Sequence, residues 1–191
     1  MAVLYVSTKN THKLAEISAI LSGSSYEAAP FPNMPHVDET GTTFEENASL
    51  KATALSLLTE ELVIADDSGL CVDALGGAPG IYSARYAGNL GDEANNAKLL
   101  ENMTGITHRA CRFVCVIALA SRGKVISLFR GEVEGSVAYK PCGNGGFGYD
   151  PVFVLPDGRH MAELSEVEKN AISHRMNALT KLRHFLSEQE K

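Results

Sequence analysis

The stretches "RFVCVIALA" (residues 112–120) and "KVISLFRGEVEGSVAY" (124–139) constrain the fold most, because two strand-like runs joined through "SRGK" read as a β-hairpin. The first run is almost wholly apolar, so Cys111 and Cys115 read as buried reduced thiols, and no CxxC pair accompanies them. The second alternates enough to lie half exposed. The start of the chain has another period: "AVLYVS" (2–7) reads as a short buried strand, and Leu14, Ile17 and Leu21 recur at helical spacing between Thr11 and Ser22. Strand, helix and later hairpin together define an α/β chain.

Between these segments, residues 26–38 are Pro-rich and read as irregular, and Thr43 with Glu46 forms a capping-box pattern for a helix through about Leu58. "GGAPG" and "ARYAGNLG" punctuate a long loop region, after which Asp92 is expected to cap a helix through Met103. "PVFVL" reads as a strand, "PDGR" as a turn, and Ser165 with Glu168 as the capping box of a C-terminal helical region. With 191 residues, 45% of them hydrophobic, and no repeat or linker, the chain suits one domain over residues 1–191. No stretch approaches the roughly 20 apolar residues of a membrane span, and "MAVLYVSTKN" lacks the pattern of a signal peptide, so a cytoplasmic protein without a membrane partner is expected. A net charge of −6 argues against a nucleic-acid polymer as partner.

The chemistry collects in four stretches. In "LVIADDSGLCVDAL", four apolar residues deliver Asp66 and Asp67 to the expected carboxyl end of a central strand, with side chains on opposite faces, so the two divide labour between a metal or water and a second partner. In "STKNTHK", Lys9, His12 and Lys13 crowd a helix start, where backbone N–H groups and the dipole already favour a phosphate. "CGNGGFGYDP" contains a formal G-x-G-x-x-G, but Asp150-Pro151 calls for extended backbone and leads toward a strand rather than a helix, so a dinucleotide fingerprint is rejected. Its glycines suit a loop that approaches a ligand closely, with Phe147 or Tyr149 as a stacking plane and Asp150 as an acceptor. In "EKNAISHR", one continuous helix would rotate His174 and Arg175 about 140° and 240° from Lys169, so service to one ligand requires a break near Ser173.

Taken in order, "STKNTHK", "DETGTTFEENASLKA", "ADDSGL", "PGIYSARYAG", "GGFGYDP" and "EKNAISHR" resemble the inosine/xanthosine triphosphate pyrophosphatase family over nearly the whole chain. The resemblance implies a mixed central β-sheet flanked by helices, with two lobes and an active site in the cleft between them. It also implies a homodimer, for which the strand from Lys124 to Tyr139 is a plausible surface. The activity implied is Mg²⁺-dependent hydrolysis of deaminated purine nucleoside triphosphates such as ITP, dITP and XTP to monophosphate and pyrophosphate. Carried over by position, Thr8, Lys9, Asn10, Thr11, His12 and Lys13 would form the triphosphate loop, and Glu39 and Asp67 would bind Mg²⁺. Asp67 would also accept the proton, and Ser68 would bind substrate. Phe147, Gly148, Tyr149 and Asp150 would surround the base, Lys169 would contact the nucleotide, and His174 with Arg175 would read the purine edge. Lys51 fits as a charge partner of the phosphates and Asp66 as a supporting carboxylate. Two departures stand out: Lys9 where the family usually has glycine, and Cys142 where it often has arginine.

Selectivity has a hydrogen-bond rationale, since hypoxanthine and xanthine carry a carbonyl at C6 where adenine carries an amino donor, and Arg175 can only donate. Two alternatives are a Maf-type nucleotide pyrophosphatase, against which "SHR" and "GFGYD" argue, and a nucleotide-sensing module that binds without turnover.

Overall fold

The computed structural model describes residues 2–189. Six strands, β1 (Ala2–Ser7), β2 (Tyr26–Pro30), β3 (Leu62–Val72), β4 (Ala110–Ser121), β5 (Lys124–Val137) and β6 (Phe153–Val154), form a mixed sheet in the order β2-β1-β3-β4-β5-β6. Five helices accompany it: α1 (Thr11–Leu21), α2 (Phe44–Ser56), α3 (Asp92–Asn102), α4 (Glu166–Ile172) and α5 (His174–Gln189). β1 pairs in parallel with β2 and β3, while β5 and β6 are antiparallel. The β4–β5 hairpin turns through Arg122 and Gly123, both at positive φ (50° and 76°), the geometry that matches the twist of its strands.

By internal packing the chain divides into two compact units. The first holds the chain up to Asp67, Cys115–Gly131 and the chain from His174 onward. Its core collects Leu4, Val6, Ile17, Ile64, Ile117 and Leu179, and α1 packs against α5 there. Each such aliphatic side chain taken from water contributes about 1.5–3 kcal/mol. The second unit holds Ser68–Val114 and Glu132–Ser173. Its core includes Leu70, Leu99, Val137 and Tyr149, with the rings of Phe113 and Phe153 stacked at 4.3 Å.

Several expectations need correction. Residues 26–30 are not irregular: they form β2, a short edge strand whose "YEAAP" carries too few apolar residues to show alternation. β3 does not end at the aspartates but continues through "DDSGLCV", because Leu70 and Val72 are buried in the second core and the Leu70 N–H is bonded to Ser83 Oγ at 2.9 Å. Asp150 opens a 3₁₀ turn, Asp150–Val152, and only Phe153 and Val154 of "PVFVL" are strand. Asp92 is the first residue of α3, after Gly91, and does not cap it. Thr43 Oγ1 caps α2 as expected by accepting the Glu46 N–H at 3.1 Å, but the return half of that box falls one residue early, the Glu46 carboxylate accepting the Thr42 N–H at 2.6 Å, whereas Ser165 and Glu168 cap each other's backbone at α4. The helical region breaks at Ser173, whose extended backbone (φ −65°, ψ 158°) separates α4 from α5.

Candidate active site

Within the first unit, Asp66 and Asp67 are consecutive on β3, so their carboxylates leave on opposite faces. Asp66 is fully buried and accepts from Lys13 Nζ of α1 at 2.5 Å, from Arg175 Nε of α5 at 2.8 Å and from Cys115 Sγ of β4 at 3.1 Å. Burial alone would raise its carboxyl, but the Arg175 guanidinium, followed by Lys13, holds it well below the usual carboxylate range. The same burial, with Asp66 beside it, pushes the Cys115 thiol up, so it stays protonated and donates. Arg175 also pairs through Nη1 with Glu16 of α1 and is 1% exposed.

On the other face, the Lys51 ammonium donates to Glu39 Oε1 at 2.7 Å, to Asp67 Oδ1 at 2.8 Å and to the Asp66 carbonyl at 2.9 Å. Burial works against the Lys51 charge, yet the Asp67 and Glu39 carboxylates raise its pKa above the ordinary lysine value. Asp67 moves upward too, because burial outweighs the pull of Lys51. Its Oδ2 is buried and accepts no hydrogen bond from the described residues. A buried carboxylate oxygen with no donor, next to a second carboxylate, matches the all-oxygen preference of Mg²⁺, so Glu39 and Asp67 fit that cation.

The residues expected to form a triphosphate loop, Thr8–Lys13, occupy the β1–α1 junction. Asn10 caps α1, its Oδ1 accepting the N–H groups of His12 and Lys13 at 2.9 and 3.1 Å, while Thr8 Oγ1 accepts the Asn10 N–H at 3.1 Å. The anion-binding potential foreseen for backbone N–H groups at this helix start is thus partly satisfied internally at these positions. What the loop presents outward is side chains that can donate: Lys9 and His12 are exposed, beside the exposed Thr11. His174, first residue of α5, is buried in the same unit as Arg175.

Within the second unit, Asp150 Oδ2 accepts Lys169 Nζ at 2.6 Å and the Phe147 N–H at 2.9 Å, and a Cβ at Gly146 (φ 71°) would run into that carboxylate. Glycine is therefore needed there for both backbone angle and space. The Lys169 ammonium lies 4.5 Å from the centre of the half-buried Phe147 ring. Gly148 is held from both sides, its N–H by Asp92 Oδ2 at 2.7 Å and its carbonyl by Asn96 Nδ2 at 3.0 Å. Tyr149 is buried with its hydroxyl donated to the Ser83 carbonyl at 2.8 Å, and burial pushes that phenol upward. Phe147 is accordingly the more open ring of the loop and Tyr149 its anchor. Ser68, half buried, follows Asp67 on β3.

The structure therefore groups Lys13, Glu39, Lys51, Asp66, Asp67 and Arg175 in one unit, and Phe147, Gly148, Tyr149, Asp150 and Lys169 in the other. Residue-by-residue reading of the sequence misses Glu16, Asp92 and Asn96. Glu16 lies one helical turn beyond His12 in "THKLAE", which is the only local signal it carries.

This is an α/β protein with a mixed sheet whose strand β3 carries a lysine-clasped carboxylate centre. The chain belongs to the Ham1 family, whose model matches residues 4–185. It is similar to a protein named dITP/XTP pyrophosphatase from Listeria innocua serovar 6a, with 48% identity over 98% of this chain and 96% of that one. Among solved structures it resembles the Staphylococcus aureus Ham1 protein, at 44% identity and TM-score 0.88 over 99% of this chain and 100% of that chain. It also resembles a HAM1 protein from Coxiella burnetii, at 40% identity and TM-score 0.91 over 98% of this chain and 100% of that chain.

Proposed function

We propose that this chain hydrolyses deaminated purine nucleoside triphosphates, ITP, dITP and XTP among them, to the monophosphate and pyrophosphate. The observation that carries the reading is Asp67: a buried carboxylate with one oxygen clasped by Lys51 and the other without a donor. Burial raises the Asp67 pKa in the metal-free site, and we assign this carboxylate as the group that accepts a proton from the attacking water while the water oxygen bonds to the α-phosphorus. The bond from that phosphorus to the bridging oxygen breaks, and pyrophosphate departs. Glu39 and Asp67 would hold Mg²⁺, which would neutralise phosphate charge. The exposed Lys9 adds positive charge for the departing group, with His12 and Lys13 beside it as hydrogen-bond donors. The names of the curated relatives support the substrate class.

For the base, Phe147 supplies a stacking face and Lys169 a donor that cannot accept, which suits a 6-carbonyl and leaves a 6-amino group unmatched. His174 and Arg175 contribute from α5; Arg175, clasped by Asp66 and Glu16, acts by holding Asp66 ionised. Four cysteines without disulfides, at Cys71, Cys111, Cys115 and Cys142, support a cytoplasmic setting. Among the described residues no helix is long and apolar enough to cross a membrane. Exposed Val125, Ile126 and Leu128 on β5, with Leu50 on α2, support a homodimer, which light scattering at micromolar concentration tests.

The deciding experiment is pyrophosphate release from ITP, XTP, dITP, ATP and GTP with and without Mg²⁺. Mg²⁺-dependent turnover of the deaminated nucleotides well above ATP is expected. Binding without turnover would make the chain a sensor, and preference for other bases would overturn the substrate class proposed for this Ham1 family member.

A further inference from the structure

Away from both carboxylate networks, the second unit brings together three side chains of different metal-binding chemistry. Cys142 Sγ, one imidazole nitrogen of His160 and one carboxylate oxygen of Glu163 lie within 4.8 Å of one another. Cys142 Sγ stands 3.6 Å from Glu163 Oε1.

The backbone around them fixes how each ligand atom is presented. His160 Nδ1 lies 2.7 Å from the Pro151 carbonyl. A carbonyl only accepts, so Nδ1 is the donating nitrogen and Nε2 is the one through which this imidazole would ligate a metal. The same carbonyl accepts the Cys142 N–H at 2.9 Å, so one backbone oxygen anchors both the thiol-bearing and the imidazole-bearing residue. Glu163 is held in turn: its Oε2 accepts the His160 N–H at 2.6 Å, which leaves Oε1 as the oxygen directed at the thiol. Cys142 and Glu163 are exposed and His160 is half buried, so a cation has a path in and water can complete its shell.

We propose that Cys142, His160 and Glu163 form a binding site for a Zn²⁺-class divalent cation, with water as the remaining ligand. Thiolate and imidazole select a borderline or soft ion over Mg²⁺, so this site and the carboxylate centre at Glu39 and Asp67 take different metals. Loading releases the thiol proton and replaces the Cys142–Glu163 contact with two bonds to one ion. The ion ties the start of the Gly143–Asp150 loop to the Met161–Glu163 turn, which already meet where the Gly145 N–H donates to the Ala162 carbonyl at 2.9 Å. It therefore stiffens the segment that carries Phe147.

The test uses the full chain freed of metal and titrated with Co²⁺ alone, then with Zn²⁺. The expected result is a near-ultraviolet thiolate-to-Co²⁺ charge-transfer band that saturates at one equivalent and is bleached by Zn²⁺. Cys142→Ser abolishes the band, and His160→Ala and Glu163→Gln each weaken Co²⁺ binding by about tenfold or more, on the scale of losing part of a metal's shell. Zn²⁺ also raises the Tm of the unaltered chain and not that of Cys142→Ser. All three positions are at least partly open to solvent, and circular dichroism verifies that the variants fold. Absence of the band at millimolar Co²⁺ overturns the proposal. So does a band that persists at full strength in both His160→Ala and Glu163→Gln, which would mean a thiol acting alone. Neither readout uses nucleotide hydrolysis, so the outcome is independent of the proposed activity.

Discussion

Lys13, Arg175 and Cys115 reach Asp66 from α1, α5 and β4, and Arg175 continues to Glu16, so the carboxylate is held by groups far apart in the chain. Asp150 is held more locally, by the Phe147 N–H three residues earlier and by Lys169, 19 residues later, whose ammonium also faces the Phe147 ring. Both are buried carboxylates with cationic partners, but they are built to different ends. The first network fixes the charge state of a strand on which the next residue, Asp67, keeps an oxygen without a donor. The second shapes a loop and sets a donor beside an aromatic face. Damage to the first should therefore appear as lost stability or lost chemistry, and damage to the second as lost discrimination.

The largest effect expected is at Asp67. Asp67→Asn keeps the shape and removes the charge, and kcat for ITP should fall by about 10²–10⁴-fold, the range of a lost general base, while the far-ultraviolet dichroism is retained. Near-normal kcat would end the assignment. Because burial raises this carboxyl, NMR titration of the metal-free chain should place it above a free aspartate, and Mg²⁺ bound there should pull it back down. Asp66 offers the contrast. Asp66→Asn leaves Arg175 and Lys13 without their shared carboxylate and should cost about 3–5 kcal/mol in urea unfolding, as when one partner of a buried pair is removed. Its pH dependence has a definite sign: a carboxyl lowered in the folded state stabilises above its unfolded pKa, and that contribution is lost as pH falls through the folded value. The stability gap between the two proteins should be flat above about pH 5 and narrow below about pH 4.

The same contrast explains what can be read without a structure. The Ser173 break is legible because Lys169, His174 and Arg175 cannot share a ligand on one straight helix, and the caps at Thr43 and Ser165 are legible because a cap is local, although the same reading misplaces the cap of α3 by one residue. β2 is not, since an edge strand of five residues with a terminal proline has no face to declare. The aspartates read as a strand end because Asp, Ser and Gly are turn formers; tertiary burial of Leu70 and Val72 overrides that propensity. The family resemblance assigns Arg175 to the purine edge, whereas the structure gives its guanidinium to Asp66, 109 residues away, and to Glu16, 159 residues away. No spacing rule reaches that far. Cys142 and Glu163, 21 residues apart, are invisible as a pair for the same reason.

Lys169 and Arg175 sharpen the comparison at intermediate size. Lys169→Gln removes a charged donor beside Phe147 and should lower kcat/KM for ITP by about 10–100-fold, the loss of one charged hydrogen bond, with a much smaller change for ATP. The ITP/ATP preference should collapse. Arg175→Ala should instead lower both substrates by similar factors and reduce stability, because it acts through Asp66. If the ratio collapses in Arg175→Ala and holds in Lys169→Gln, base reading belongs to α5 and the roles of Lys169 and Arg175 are reversed.

The smallest effect concerns Phe147, whose ring is half buried while that of Tyr149 is anchored to Ser83. If the ring acts as a stacking plane, Phe147→Leu keeps apolar bulk and removes only the aromatic face, so the Asp150–Lys169 pair and the fold should persist. A base–aromatic stack is worth about 1–3 kcal/mol when truncated to alanine, and leucine retains part of that contact, so KM should rise by roughly three- to thirtyfold. Every purine offers a π-face, so the rise should be similar for ITP, XTP and ATP, which separates stacking from the base-selective effect at Lys169. Measuring KM for the three nucleotides in both proteins decides between them. An unchanged KM for all three would leave Phe147 as a partner of the Lys169 ammonium alone.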